Sequence, residues 1–260
     1  MNESHNYAGN LTFYDYVIDA SGKGDNTSIA AGLTAAGANA RVFIKYGAYT
    51  ETSTCTVAAG QIIHFDNPTI TLNGVRIVTS GDSMATGQAT LTGTGTATER
   101  NLITLIGGNN TWKNCLIKLV PTGDGLTAGS SNVILTSKVV GDEYSSINVL
   151  MYDITYNNSS GISVGLYLVS TVVHCYAISL FDNIDNAGTS DIVGVYFDDI
   201  NDSYLTILAD DVNSGGGGTG FGVFISASSD DNTLVGVSKN CDTNLTDNGA
   251  RNNVAALNVA

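Results

Sequence analysis

A chain of 260 residues with 43% hydrophobic side chains has ample apolar material for one continuous core, which excludes disorder. Its 24 acidic against 10 basic residues, a formal charge of −14, exclude a nucleic-acid or anionic-membrane surface, because both demand clustered Lys and Arg. Glycine, serine, threonine, asparagine and aspartate run along the whole length without a linker-like shift, so the chain reads as a short arm, residues 1–15, and one domain, residues 16–260.

The stretch from Met1 to Asn10 lacks the basic and apolar regions of a secretory signal. Polar residues interrupt every apolar burst well short of spanning length. Cys55, Cys115, Cys175 and Cys241 are far apart and form no metal spacing, so they are expected as reduced thiols packed like small hydrophobes. Together these features predict a protein made in a cytoplasm, including one released later by lysis.

In chain order, Tyr16–Asp19 predicts a strand, and the turn from Ala20 to Thr27 leads into a helix from Ser28 to about Ala36. Asn26 or Thr27 is expected to cap it, Ile29, Leu33 and Ala36 share one face, and Gly37 and Asn39 end it. Arg41–Tyr46 is the next strand. Beyond it no second helix is expected, only short strands: Gln61–Phe65, Thr69–Leu72, Arg76–Thr79, Leu102–Ile106, Cys115–Val120, Asn132–Thr136, Ile147–Tyr152, Val164–Val169, Val173–Phe181, Ile192–Phe197, Tyr204–Leu208, Phe221–Ile225 and Thr233–Val237. Turns such as Gly107-Gly108-Asn109-Asn110 and Asn157 to Gly161 are rich in residues that tolerate left-handed backbone. Gly215–Gly218 lacks the Lys-Ser/Thr and helix of a phosphate loop and reads as a flexible lateral loop. Hairpin dipeptides are few, and apolar patches recur at about 20–25 residues or twice that, so a solenoid of stacked strands is favoured over a sandwich.

Val17-Ile18-Asp19 with Gly24-Asp25, the short helix, and Val42-Phe43-Ile44-Lys45-Tyr46-Gly47-Ala48-Tyr49 resemble the opening segment of the pectin-lyase-like superfamily. The stretches Asp230–Gly236 and Asp247–Val254 resemble its last coils. The resemblance implies an all-β, right-handed, single-stranded parallel β-helix with an N-terminal capping helix. The superfamily includes pectate lyases, pectin methylesterases, polygalacturonases and bacteriophage tailspikes. Gly47-x-Tyr49-x-Glu51 matches part of the methylesterase pattern, but its catalytic Gln, paired Asp and Arg-x-Trp are missing, and Trp112 stands in other text. Of the polygalacturonase motifs only Asp-Asp pairs occur, and no Arg lies between Arg100 and Arg251 to serve as a lyase base.

Hydrolysis of a glycosidic bond needs one carboxyl to protonate the leaving oxygen and a second to attack or activate water. Asp198, Asp199, Asp210 and Asp211 are the candidate acids, with Asp202 in the same crowd, and Tyr196 and Tyr204 the candidate sugar contacts, beside Phe197. Against this, aspartate at strand ends caps turns and solubilises a face. The same carboxylates have the donor type for Ca2+, but the spacing of a calcium loop is absent, so no metal or other cofactor is expected. His5, His64 and His174 are scattered without triad partners in sequence. The expected role is a structural or receptor-binding component of a bacteriophage virion: tailspike-like, decoration, fibre or spike-base. The resemblance implies a homotrimer in contact with other virion proteins and with host surface polysaccharide, and no nucleic acid or membrane partner. The alternative is a polysaccharide lyase or glycoside hydrolase.

Overall fold

The computed structural model describes residues 14–94, 103–105, 110–121, 132–138, 146–156, 162–173, 176–186 and 189–259. They form β1 (Tyr16–Ile18), α1 (Ile29–Ala36), β2 (Arg41–Ile44), β3 (Ala48–Glu51), β4 (Cys55–Val57), β5 (Ile62–Asn73), β6 (Ile77–Thr79), β7 (Ser83–Thr94), β8 (Ile103–Leu105) and β9 (Asn110–Pro121). There follow β10 (Asn132–Lys138), β11 (Ser146–Tyr156), β12 (Ser163–Val173), β13 (Tyr176–Asn186), β14 (Ile192–Asn201), β15 (Tyr204–Asn213), β16 (Gly220–Ile225), β17 (Thr233–Lys239), β18 (Thr243–Asp247) and β19 (Asn253–Val259).

Among the described residues the fold is all-β with one helix. From β4 onward successive strands alternate between an 11-stranded and an 8-stranded sheet, and each strand pairs in parallel with the strand two places later. Register partners lie from 20 residues apart (Thr233 to Asn253) to 35 (Thr111 to Ser146). The expected repeat of about 20–25 residues is therefore too short for the middle of the chain.

The two sheets enclose one core. One file of register partners crosses the smaller sheet from end to end: Cys55, Ile77, Ile103, Leu135, Leu166, Val195, Val223, Leu245. Cys55, Leu166, Val195 and Val223 are fully buried. Each such side chain contributes about 1.5–3 kcal/mol of burial, so the files hold the stack together. Cys55 thus packs as a small hydrophobe, as expected, and Cys55 and Cys241 are free thiols.

Helix α1 closes one end. The cap is Ser28, one residue after Thr27 and two after Asn26, the expected caps: its hydroxyl accepts from the Ala31 N–H at 3.3 Å, while Asn26 Oδ1 accepts from the Ser28 N–H. Buried Glu51 accepts from the Ile29 N–H at 2.7 Å, the Ala30 N–H at 3.2 Å and the Ser28 hydroxyl at 2.9 Å. At the other end buried Gln61 donates from Nε2 to the carbonyls of Leu33 and Gly37. Two residues of the strand stack therefore satisfy the helix's orphan donors and acceptors. Gly32 is required mid-helix because a Cβ there would lie 2.5 Å from Ile18 Cδ1.

β3, β7, β18 and β19 were not expected, whereas β4 falls where Thr54-Cys55-Thr56 reads as strand text. Gln61–Phe65 and Thr69–Leu72 are one strand, β5, which bends at left-handed Asn67 (φ 51°) and Pro68 instead of breaking. The expected strand Val173–Phe181 straddles the end of β12 and the start of β13. His5, His174, Cys175, Gly107–Asn109, Asn157–Gly161 and residues 1–13 lie outside the described residues, as do the side chains of Trp112 and Cys115.

Candidate functional site

The strongest grouping of exposed chemistry lies on the outer face of the smaller sheet. On this face Tyr167, Tyr196, Phe224 and Thr246 are register partners, so three aromatic residues stand on adjacent strands β12, β14 and β16. The Tyr167 and Tyr196 rings stack at 5.1 Å between centroids, and Phe224 meets Tyr196 edge-on at 5.1 Å. Phe221 adds a second edge contact to Phe224 at 5.4 Å. These separations are those of favourable aromatic pairs, and all four rings remain half-buried.

Asp198 sits two residues after Tyr196 on the same face and accepts from the Tyr167 hydroxyl at 2.8 Å. Burial raises the pKa of the Tyr167 phenol above its ordinary value, and the Asp198 bond and charge raise it further. Tyr196 is pushed the same way, by burial first and Asp198 second. Asp198 is therefore a hydrogen-bonded acceptor beside a ring platform.

The other candidates are elsewhere. Asp199 has left-handed backbone (φ 65°) at a bend within β14, two residues before its end. Asp210 and Asp211 are on β15 in the larger sheet, so the structure does not bring the four acids onto one face. Asp210 pairs with Lys239 Nζ at 2.9 Å and accepts from Asn240 Nδ2 at 2.8 Å, bonds that hold its carboxyl below the usual range. Asp211 is left-handed (φ 58°) and accepts from the Asn213 side chain. Asp202, also left-handed (φ 51°), is exposed at the next corner. Tyr204 opens β15, 42% exposed, on the larger sheet and away from Tyr196. Phe197 is fully buried in the core.

Tyr167 and Phe224 were missed, and the signal for them is register: they lie 29 and 28 residues from Tyr196, one repeat either side. A smaller aromatic set, Tyr14, Phe43 and His64, stacks on the larger sheet, with Phe43 and His64 at 5.5 Å and His64 Nδ1 3.0 Å from the Thr86 hydroxyl. The Gly-x-Tyr-x-Glu fragment is structural: the Tyr49 hydroxyl lies 2.8 Å from the Lys45 carbonyl and 3.1 Å from that of Ile18, and Glu51 caps α1. A depression of about 570 Å³ beside α1 is lined by hydroxyls, Ser28, Thr34, Thr50 and Thr52 among them, around that same engaged carboxylate.

Among the described residues no group of three or more His, Cys, Asp or Glu could hold a metal ion, and no helix is long and apolar enough to cross a membrane. Comparison with protein-family models, with curated proteins and with solved structures finds no match to this chain.

Proposed function

We propose that the chain is a right-handed parallel β-helix of the pectin-lyase-like superfamily that serves as a non-catalytic structural or receptor-binding component of a bacteriophage virion. The alternation of parallel strands between two sheets supports the helical winding, and crossovers between parallel strands are right-handed in nearly all proteins. On this reading it is a homotrimer in contact with other virion proteins, and the Tyr167–Tyr196–Phe224 face is its contact with host surface polysaccharide.

The observation that carries the non-catalytic reading is the state of the acids. Asp210 is held by Lys239, Asp211 by Asn213 and Asp198 by Tyr167, and the two pairs stand on different sheets. An acid and a base or nucleophile flanking one bond is the minimum for glycoside hydrolysis. A sugar packs its C–H groups on aromatic surface and donates hydroxyls to a carboxylate, and this face sets Asp198 beside half-buried rings.

The test is binding and turnover of purified surface polysaccharides by the full chain. Binding without depolymerisation, weakened roughly tenfold by Tyr196→Ala with the fold intact, is the expected result. Cleavage abolished by Asp198→Asn would replace this reading with the hydrolase, and no glycan binding at all would leave only the structural role.

A further inference from the structure

The negative charge of the chain is concentrated where the aromatic face lies. From Leu119 to Ser238, the stretch that contains β10 to β16, 14 acidic residues stand against one basic residue, Lys138, so this stretch holds −13 of the total −14. Strands β12, β14, β16 and β18 carry no Lys or Arg. Lys138 is on β10, and its register file runs through Val169 to Asp198. Two strand spacings, about 10 Å, therefore part the two backbones, which is about one Debye length at physiological salt. The next cations along the chain are paired elsewhere, Lys239 with Asp210 at 2.9 Å and Arg251 with Asp231 at 2.6 Å.

The hydrogen-bonding character of the face points the same way. Asp198 is an acceptor-only carboxylate, and the Tyr167 hydroxyl proton is already committed to it at 2.8 Å. A carboxylate has about four acceptor sites, so those that Tyr167 leaves open call for donors. A sugar hydroxyl brings one. An ionised uronate, sulfate or phosphate group brings acceptors and a like charge, and Asp199, half-buried one residue further on, adds a second negative charge.

Resting on the reading of this face as a glycan contact, we infer that it takes an uncharged, hydroxyl-rich polysaccharide and rejects polymers that carry uronic acid, sulfate or phosphate groups. Sugar hydroxyls donate to Asp198 while sugar C–H groups pack on the half-buried rings of Tyr167, Tyr196 and Phe224. An anionic group brought beside Asp198 meets repulsion that no Lys or Arg of β12, β14, β16 or β18 offsets, and like-charge contacts of this kind exclude wrong partners. The penalty is electrostatic, so it shrinks as salt rises. That is the reverse of a cationic groove, whose grip on an anionic polymer weakens with salt.

Binding of the full chain to purified neutral and acidic surface polysaccharides, measured across a range of salt, tests this. Neutral polymers should bind roughly tenfold or more tightly than acidic ones at low salt, with an affinity nearly independent of salt, while acidic binding grows as salt is added. Asp198→Asn removes the charge and adds an N–H donor, and should raise low-salt binding of the acidic polymers about fivefold with an unchanged dichroism spectrum. Acidic polymers bound as tightly as neutral ones, acidic binding that falls with salt, or discrimination indifferent to Asp198→Asn overturns the inference and leaves the glycan contact standing. Binding to neither class removes the glycan contact itself, and the inference with it. Should the variant misfold, the salt series on the wild-type chain decides.

Discussion

Removing the Glu51 carboxylate should unseat α1 while leaving the strand stack assembled. In Glu51→Ala the Ile29 and Ala30 N–H groups lose acceptors at 2.7 and 3.2 Å, and the Ser28 hydroxyl loses one at 2.9 Å. Ile29 and Ala30 are buried, so each stranded donor costs about 1–3 kcal/mol, and loss of the negative charge at the helix N-terminus adds up to about 1 kcal/mol. Water entering from the open depression beside Thr50 and Thr52 recovers part of that. The net expectation is about 3–5 kcal/mol, against about 1–2 kcal/mol for Glu51→Gln, which keeps one acceptor oxygen in place. Urea unfolding followed by far-ultraviolet dichroism measures the difference, and hydrogen exchange locates it in the α1 amides and in Ile29 and Leu33. A Glu51→Ala loss below about 1 kcal/mol would refute the reasoning, because it would mean the carboxylate satisfies nothing that solvent does not.

Gly236→Ala should destabilise by about 2–4 kcal/mol, since its φ is 126° and a Cβ there falls on the Ile207 carbonyl, whereas Gly217→Ala, left-handed but with open space around it, should cost only about 1 kcal/mol; chemical unfolding of the two variants compares them. Asp19, hydrogen-bonded to Lys45 Nζ at 2.8 Å and to Ser21, has its pKa lowered to about 2. A depressed carboxyl stabilises the fold above its unfolded value and loses that contribution as pH falls through the folded one, so about 1–2 kcal/mol should vanish between roughly pH 4 and 2. Asp19→Asn should flatten that part of the stability profile, and an unchanged slope would count against the ion pair.

Fold class was legible because the interior files repeat: short apolar bursts at Ile192–Phe197, Tyr204–Leu208 and Thr233–Val237 fall on β14, β15 and β17. The helix was legible from Ile29 and Leu33, both buried. Strands escaped where they are short or where their inward residues are mostly small. β7 reads SMATGQATLTGT, and its inward positions Ala85 and Ala89 carry little hydrophobic signal beside the outward threonines. β18 is short and places only Leu245 inward. The repeat length was misjudged because loops of unequal size make the spacing between register partners vary from 20 to 35 residues, so pattern and spacing part company. Tyr196 was found as a single residue, but its platform is a property of three strands, and only the pairing of β12, β14 and β16 assembles it.

The aspartates argue a more general point about stacks of parallel strands. Each corner that turns the chain sharply needs a residue that tolerates left-handed backbone, and glycine, asparagine and aspartate do so at the lowest steric cost. Asp202 and Asp231 occupy such corners, and Asp199 and Asp211 sit at left-handed bends within β14 and β15, with φ from 51° to 65°. Others tie neighbouring repeats: Asp231 to Arg251, Asp210 to Lys239, Asp19 to Lys45 and Asp15 to Arg41 are ion pairs between residues about one repeat apart. Backbone geometry and register therefore account for Asp199, Asp210 and Asp211, three of the four candidate acids, and leave Asp198 beside Tyr167. Crowding of carboxylates along this sequence reports how often the chain turns. A functional face must be sought instead in what the corners do not explain, and the outward file of the smaller sheet, where threonines give way to Tyr167, Tyr196 and Phe224, is such a departure.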